Sequence, residues 1–145
     1  VRLGLRQASK FTQEQSYRLI LRELPPPPKD NFMGVGMLLK VSVPVFVQST
    51  EQIVSFKNLE WQIVKKADFF EIELNNIATN HLQILGAKLY TDQQNFITDI
   101  PLSGYVLPNK KKIWKFSAPN LEIMQPLILK VETDQGDLQI ETIVK

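Results

Sequence analysis

From Met33 to Val43 every second residue is apolar: Met33, Val35, Met37, Leu39, Val41 and Val43 fall on one face. The other face takes Gly34, Gly36, Leu38, Lys40, Ser42 and Pro44. A period of two belongs to a strand with one buried face, and no helix sustains it. A similar row precedes it, with Tyr17, Leu19 and Leu21 on one side and Arg18, Ile20 and Arg22 on the other. Between them stand Pro25-Pro26-Pro27-Pro28. Prolines donate no backbone hydrogen bond, so the first strand must stop there. Pro44 requires the second strand to be bent or to lie at a sheet edge.

The rest of the chain reads as short strands at sandwich-like spacing, Leu59–Val64, Phe69–Asn75, His81–Tyr90, Phe96–Ile100, Gly104–Leu107, Lys112–Phe116, Pro126–Glu132 and Leu138–Val144. The last two flank Asp134-Gln135-Gly136-Asp137, which suits a turn needing positive φ. Phe11–Gln15 is at most a turn or short helix. Gln48-Ser49-Thr50-Glu51-Gln52 is polar and aperiodic, and reads as a linker around 49–52. The expected class is all-β with immunoglobulin-like sandwiches: residues 53–145 form a complete C-terminal domain, and residues 1–48 are the last strands of an N-terminal one.

Composition limits the functions open to such a chain. Hydrophobic residues make up 43% and charged residues 22% of the sequence, enough apolar material for a packed core. Seventeen basic and fifteen acidic residues are too evenly balanced for nucleic acid or an anionic membrane to be the main partner. No apolar run reaches the ~20 residues that cross a bilayer, so membrane insertion is not expected. Without cysteine there are no disulfides, thiolate sites or cysteine nucleophiles. Val1–Leu5 already reads as strand and no signal peptide is visible, so the expectation is that sequence upstream of Val1 is missing.

Nothing in the pattern points to catalysis. His81, the single histidine, has no neighbouring ligand or nucleophile and reads as an ordinary strand-edge residue. Glu71 and Glu73 share the solvated face of one strand. Gly34-Val35-Gly36 lacks the third glycine and following helix of a dinucleotide site. Lys110-Lys111-Lys112 reads as a solvated turn. Trp61 and Trp114 sit on alternating strands and read as core. No catalytic residue, metal ligand or cofactor is assigned. The Met33–Val43 row stands out, being about twice the usual strand length and rich in adaptable methionine at its start. A long apolar edge is an aggregation hazard unless a partner pairs with it, and strand addition is the matching mode of recognition.

Two motifs carry a family likeness. Glu14-Gln15-Ser16-Tyr17-Arg18-Leu19-Ile20-Leu21-Arg22-Glu23-Leu24-Pro25 resembles the penultimate strand of the N-terminal domain of periplasmic chaperones of the chaperone–usher pilus pathway. Leu39-Lys40-Val41-Ser42-Val43-Pro44-Val45-Phe46 resembles their last strand, in the archaic, spore-coat-protein-U-like branch. Val1-Arg2-Leu3 is similar to the strand before these, and Gly104-Tyr105-Val106-Leu107-Pro108 with Ile113-Trp114 to part of the second domain. The likeness spans the chain, with the strands that would precede Val1 absent, so the chain is expected to be N-terminally truncated.

The resemblance implies a non-enzymatic periplasmic chaperone that caps pilin subunits by lending them a strand and passes them to an outer-membrane usher. Met33, Val35, Met37 and Leu39 would be the donor residues of a strand at about 33–47. Val41 and Val43 would return to the chaperone's own core. The subunit's C-terminal carboxylate would bind Lys40, although the alignment can place Ser42 there instead. The arginine that would assist it belongs to the missing strands. A sandwich fragment leaves its inner face open, and at ~25 cal/mol per Å² a few hundred Å² costs several kcal/mol. The missing strands are therefore expected to come from another polypeptide, from a second copy by self-association or swapping, or from disordered or unregistered sequence. The alternatives are a structural or adhesive component of a surface fibre, and an enzyme or carbohydrate-binding module on a sandwich.

Overall fold

The computed structural model describes residues 11–25, 34–48, 56–119, 121 and 126–145. Across these residues the chain is all-β, with ten strands, one 3-10 turn at Phe56–Asn58 and no α-helix. The expected strands at Val1–Leu5, the start of the row at Met33 and the 49–52 linker lie outside the described residues. Phe11–Glu14 form a bend rather than a helix. Among the described residues no helix is long and apolar enough to cross a membrane.

Two strands form a hairpin of their own. β1 (Gln15–Arg22) pairs antiparallel with β2 (Lys40–Val47) in a two-stranded sheet. Its register sets Tyr17 opposite Val45, Leu19 opposite Val43 and Leu21 opposite Val41. The remaining strands build two facing sheets. One is β3 (Leu59–Lys65), β4 (Phe70–Asn76) and β8 (Lys110–Phe116), in the order β3-β4-β8. The other contains β5 (Leu82–Thr91), β6 (Phe96–Ile100), β7 (Gly104–Val106), β9 (Pro126–Thr133) and β10 (Leu138–Ile143), in the order β10-β9-β5-β6 with β7 also on β5. The arrangement is compatible with an immunoglobulin-like sandwich.

The alternation of β4 buries Phe70, Ile72, Leu74 and Asn76 and turns Glu71, Glu73 and Asn75 outward. Facing them across the sandwich are Leu82, Ile84, Ala87, Leu89, Leu127, Leu129 and Val131. The buried row of β5 changes parity at a bulge between Ile84 and Gly86, which leaves Leu85 exposed while Ala87 and Leu89 still point inward. Trp61 and Trp114 pack against this core, as expected. One edge is closed by Val144 and Lys145. Val144 bridges Ile63 in parallel, the Lys145 N–H donates to the Ile63 carbonyl, and the Lys65 N–H donates to the Lys145 carbonyl.

Three expectations need correction here. Lys110 and Lys111 belong to β8 rather than to a turn, which ends at Asn109 with φ 53°. Lys111 pairs with Glu73 across the sheet, and Lys112 and Trp114 Nε1 both donate to the Ser103 carbonyl. The row from Met33 to Val43 is not one continuous strand, because β2 begins only at Lys40 and the described residues 34–39 join no sheet. The last ladder contact is the Glu23 N–H to the Leu39 carbonyl at 2.8 Å. Two positions further on, the partner strand reaches Pro25, which has no N–H to donate. Val41 and Val43, expected in a core, are 37% and 39% exposed, because among the described residues no second layer covers that face of the hairpin.

Candidate functional site

The hairpin presents two chemically different faces. One carries Tyr17, Leu19, Leu21, Val41, Val43 and Val45, side by side in the register, with Tyr17, Leu21, Val41 and Val43 substantially exposed. The other carries Ser16, Arg18, Ile20 and Arg22 against Phe46, Pro44, Ser42 and Lys40. Arg22 stands directly opposite Lys40, a like-charge pairing that disfavours the hairpin unless an anion lies nearby. Arg18 Nη1 donates to Ser42 Oγ at 3.2 Å.

The positions expected to serve as donors continue past the end of the ladder. Val35 is 91% exposed, Met37 88% and Leu39 64%. Leu39 is tied back on both sides, its carbonyl accepting from the Glu23 N–H and its own N–H donating to Glu23 Oε2 at 3.0 Å. Met33 lies outside the described residues. The structure thus brings Val35, Met37 and Leu39 into one exposed apolar stretch that runs directly into β2. Lys40, the carboxylate-binding candidate, is the first residue of β2 and is exposed.

The opposite end of the hairpin is seated on the sandwich. Glu14, immediately before β1, is buried, with its side chain fully excluded from solvent. Its backbone N–H donates to the Thr79 carbonyl at 3.0 Å. Its carboxylate accepts from the His81 backbone N–H at 3.2 Å and from His81 Nδ1, 2.8 Å from both oxygens. Facing two carboxylate oxygens, Nδ1 is the donor. Phe46 stacks on the imidazole at 3.7 Å between centroids and 16° between planes, and Tyr105 packs edge-on against His81 at 5.5 Å. Asn109 Nδ2 also donates to Gln13 Oε1 at 3.1 Å.

His81 is therefore not an ordinary strand-edge residue. It precedes β5 and holds the hairpin and the sandwich together. The turn that carries it is built on Asn76, whose Oδ1 accepts from the Ala78 N–H and whose Nδ2 donates to the carbonyls of Asn80 and Val106. Beside the seat a cleft of about 470 Å³ separates the two parts. Its walls include Arg18, Pro44, Phe46, Tyr105, Leu107 and Lys112. Ser16 and Tyr17 complete a lining of mixed polar and apolar character, with the cations of Arg18 and Lys112 on its border.

Glu14, Phe46 and Tyr105 were not singled out from the sequence. Glu14 and His81 are distant in the chain, and neither belongs to a local motif. The one available cue was a lone acidic residue placed directly before an alternating strand. Glu71 and Glu73, by contrast, stand where expected on the outer face, Glu71 beside Lys66 and Lys115 and Glu73 beside Lys111. Among the described residues no three His, Cys, Asp or Glu side chains gather as a metal site. Compared with known proteins, the sequence matches no protein-family model and no curated protein.

Proposed function

We propose that this protein is a non-catalytic periplasmic chaperone that caps pilus subunits by lending them a β-strand and delivers them to an outer-membrane usher. The observation that carries the reading is the exposed apolar stretch Val35, Met37 and Leu39, of which Val35 and Met37 lie beyond the last ladder bond, running into β2. A client lacking one strand would supply the missing ladder, and alternate side chains would fill its groove. On this reading residues 1–48 are the last strands of a first immunoglobulin-like domain and residues 53–145 a second. Lys40, with Ser42 two residues on, offers a charge-assisted contact to the client's terminal carboxylate. The crowding of Arg22 against Lys40 favours such an anion.

The test is co-expression with pilin subunits and co-purification. Burying Met37 in a client groove is worth roughly 1.5–3 kcal/mol, and a carboxylate at that place adds a desolvation penalty. Met37→Glu should therefore weaken capture by at least about a hundredfold. Undiminished capture by that variant rules out strand donation through this row.

A further inference from the structure

We infer that Glu14 and His81 form a latch that fixes where the hairpin presents its donor row. In speaking of a client the inference rests on the proposed chaperone function; the latch itself does not. Gln13, Glu14 and Phe46, at the open end of the hairpin, make hydrogen bonds and ring contacts with the sandwich. Val35, Met37 and Leu39 lie beyond the other end. The hairpin is a lever with its pivot at His81.

Its length sets the stakes. Eight residues per strand at ~3.3 Å each give an arm of roughly 25 Å. A rotation of about 10° at the pivot moves the free end by about 4 Å, most of the ~4.8 Å between paired strands. Ladder hydrogen bonds tolerate only a few tenths of an ångström around ~2.9 Å. Small freedom at the seat is thus enough to take the donor row out of register with a client.

Within the seat the hydrogen bond from His81 Nδ1 to the Glu14 carboxylate matters more than the ring stack. The Glu14 carboxylate is excluded from water and takes its side-chain hydrogen bonds from His81. Without the imidazole N–H it would be left under-satisfied in an apolar setting, and would be driven to leave the seat for solvent. The stack on Phe46 offers no such penalty, because another flat ring replaces it.

Two substitutions separate these contributions. His81→Phe keeps a ring against Phe46 and Tyr105 and removes the donor. His81→Asn keeps an N–H near the place of Nδ1 and removes the stack. The chain has no cysteine, so Leu24→Cys near the free end and Asp137→Cys on the sandwich accept spin labels uniquely. Pulsed electron–electron resonance then reads the hairpin's orientation, while fluorescence of Trp61 and Trp114 reports the integrity of the sandwich. The expected result is a distance distribution broadened or displaced by about 4 Å in His81→Phe, near wild type in His81→Asn, with the tryptophan signal retained in both. Pilin capture should fall about tenfold or more in His81→Phe and recover in His81→Asn. An unaltered distribution in His81→Phe overturns the latch, and so does equal broadening in His81→Asn. If the unsubstituted protein captures no pilin, the chaperone reading falls and the distance measurement alone decides the latch.

Discussion

Replacing Asn76 by alanine tests the idea that one buried amide holds the ground on which the hairpin stands. Asn76 is fully buried at the end of β4 and makes three hydrogen bonds with no solvent access. Nδ2 reaches the Val106 carbonyl at 2.9 Å and the Asn80 carbonyl at 3.0 Å, and Oδ1 takes the Ala78 N–H at 3.0 Å. Ala78, Asn80 and Val106 are themselves buried, so alanine would strand one donor and two acceptors. Each buried orphan costs about 1–3 kcal/mol. Water entering the vacated space would relieve part of this, leaving a loss of about 3–5 kcal/mol, a large share of a domain's stability. Urea unfolding followed by Trp61 and Trp114 fluorescence should show the midpoint falling by about 2–3 M at a slope of ~1.5 kcal/mol/M. Asn76→Asp should be no better, since it sets a carboxylate against two carbonyls. A loss below about 1 kcal/mol for Asn76→Ala would refute the reasoning, because it would mean the three groups find other partners.

Two further outcomes follow from other features. The face formed by Tyr17, Leu21, Val41 and Val43 is partly open to water. The protein should therefore sediment above monomer mass at tens of micromolar, and Val43→Glu should return it to monomer; a monomeric parent chain speaks against self-association through this face. Gly104 sits at φ +101°, and a Cβ there would meet Lys112 Nζ at 2.6 Å. The lysine end can move, so the backbone penalty dominates. Gly104→Ala should cost about 1–2 kcal/mol, read as a lowered Tm.

What the sequence could convey followed the reach of its patterns. The alternation of Phe70, Ile72 and Leu74 gave β4 within a residue, and Gly136, at φ +117°, marked the last turn. Parity failed at Leu85, because a bulge inserts a residue without any compositional mark. The apolar row from Met33 was legible as a pattern but not as a ladder. Its pairing depends on what lies opposite, and opposite Met37 comes Pro25. The seat was the least legible part. Glu14 and His81 meet only through the fold, and no local spacing encodes a contact between such distant residues. A lone histidine then reads as unremarkable until its neighbour in space is known.

The bridge between Ile63 and Val144 bears on the order of events during synthesis. Among the described residues, β3 takes its outer neighbour from Val144, about 80 positions downstream, a separation that slows folding through loop-closure entropy. While the chain is still emerging from a ribosome or a translocation channel, that flank of β3 has no partner and stays open to misassociation. Substitutions that disturb Val144 would accordingly act on a structural seam and interfere with the final closure of the sheet.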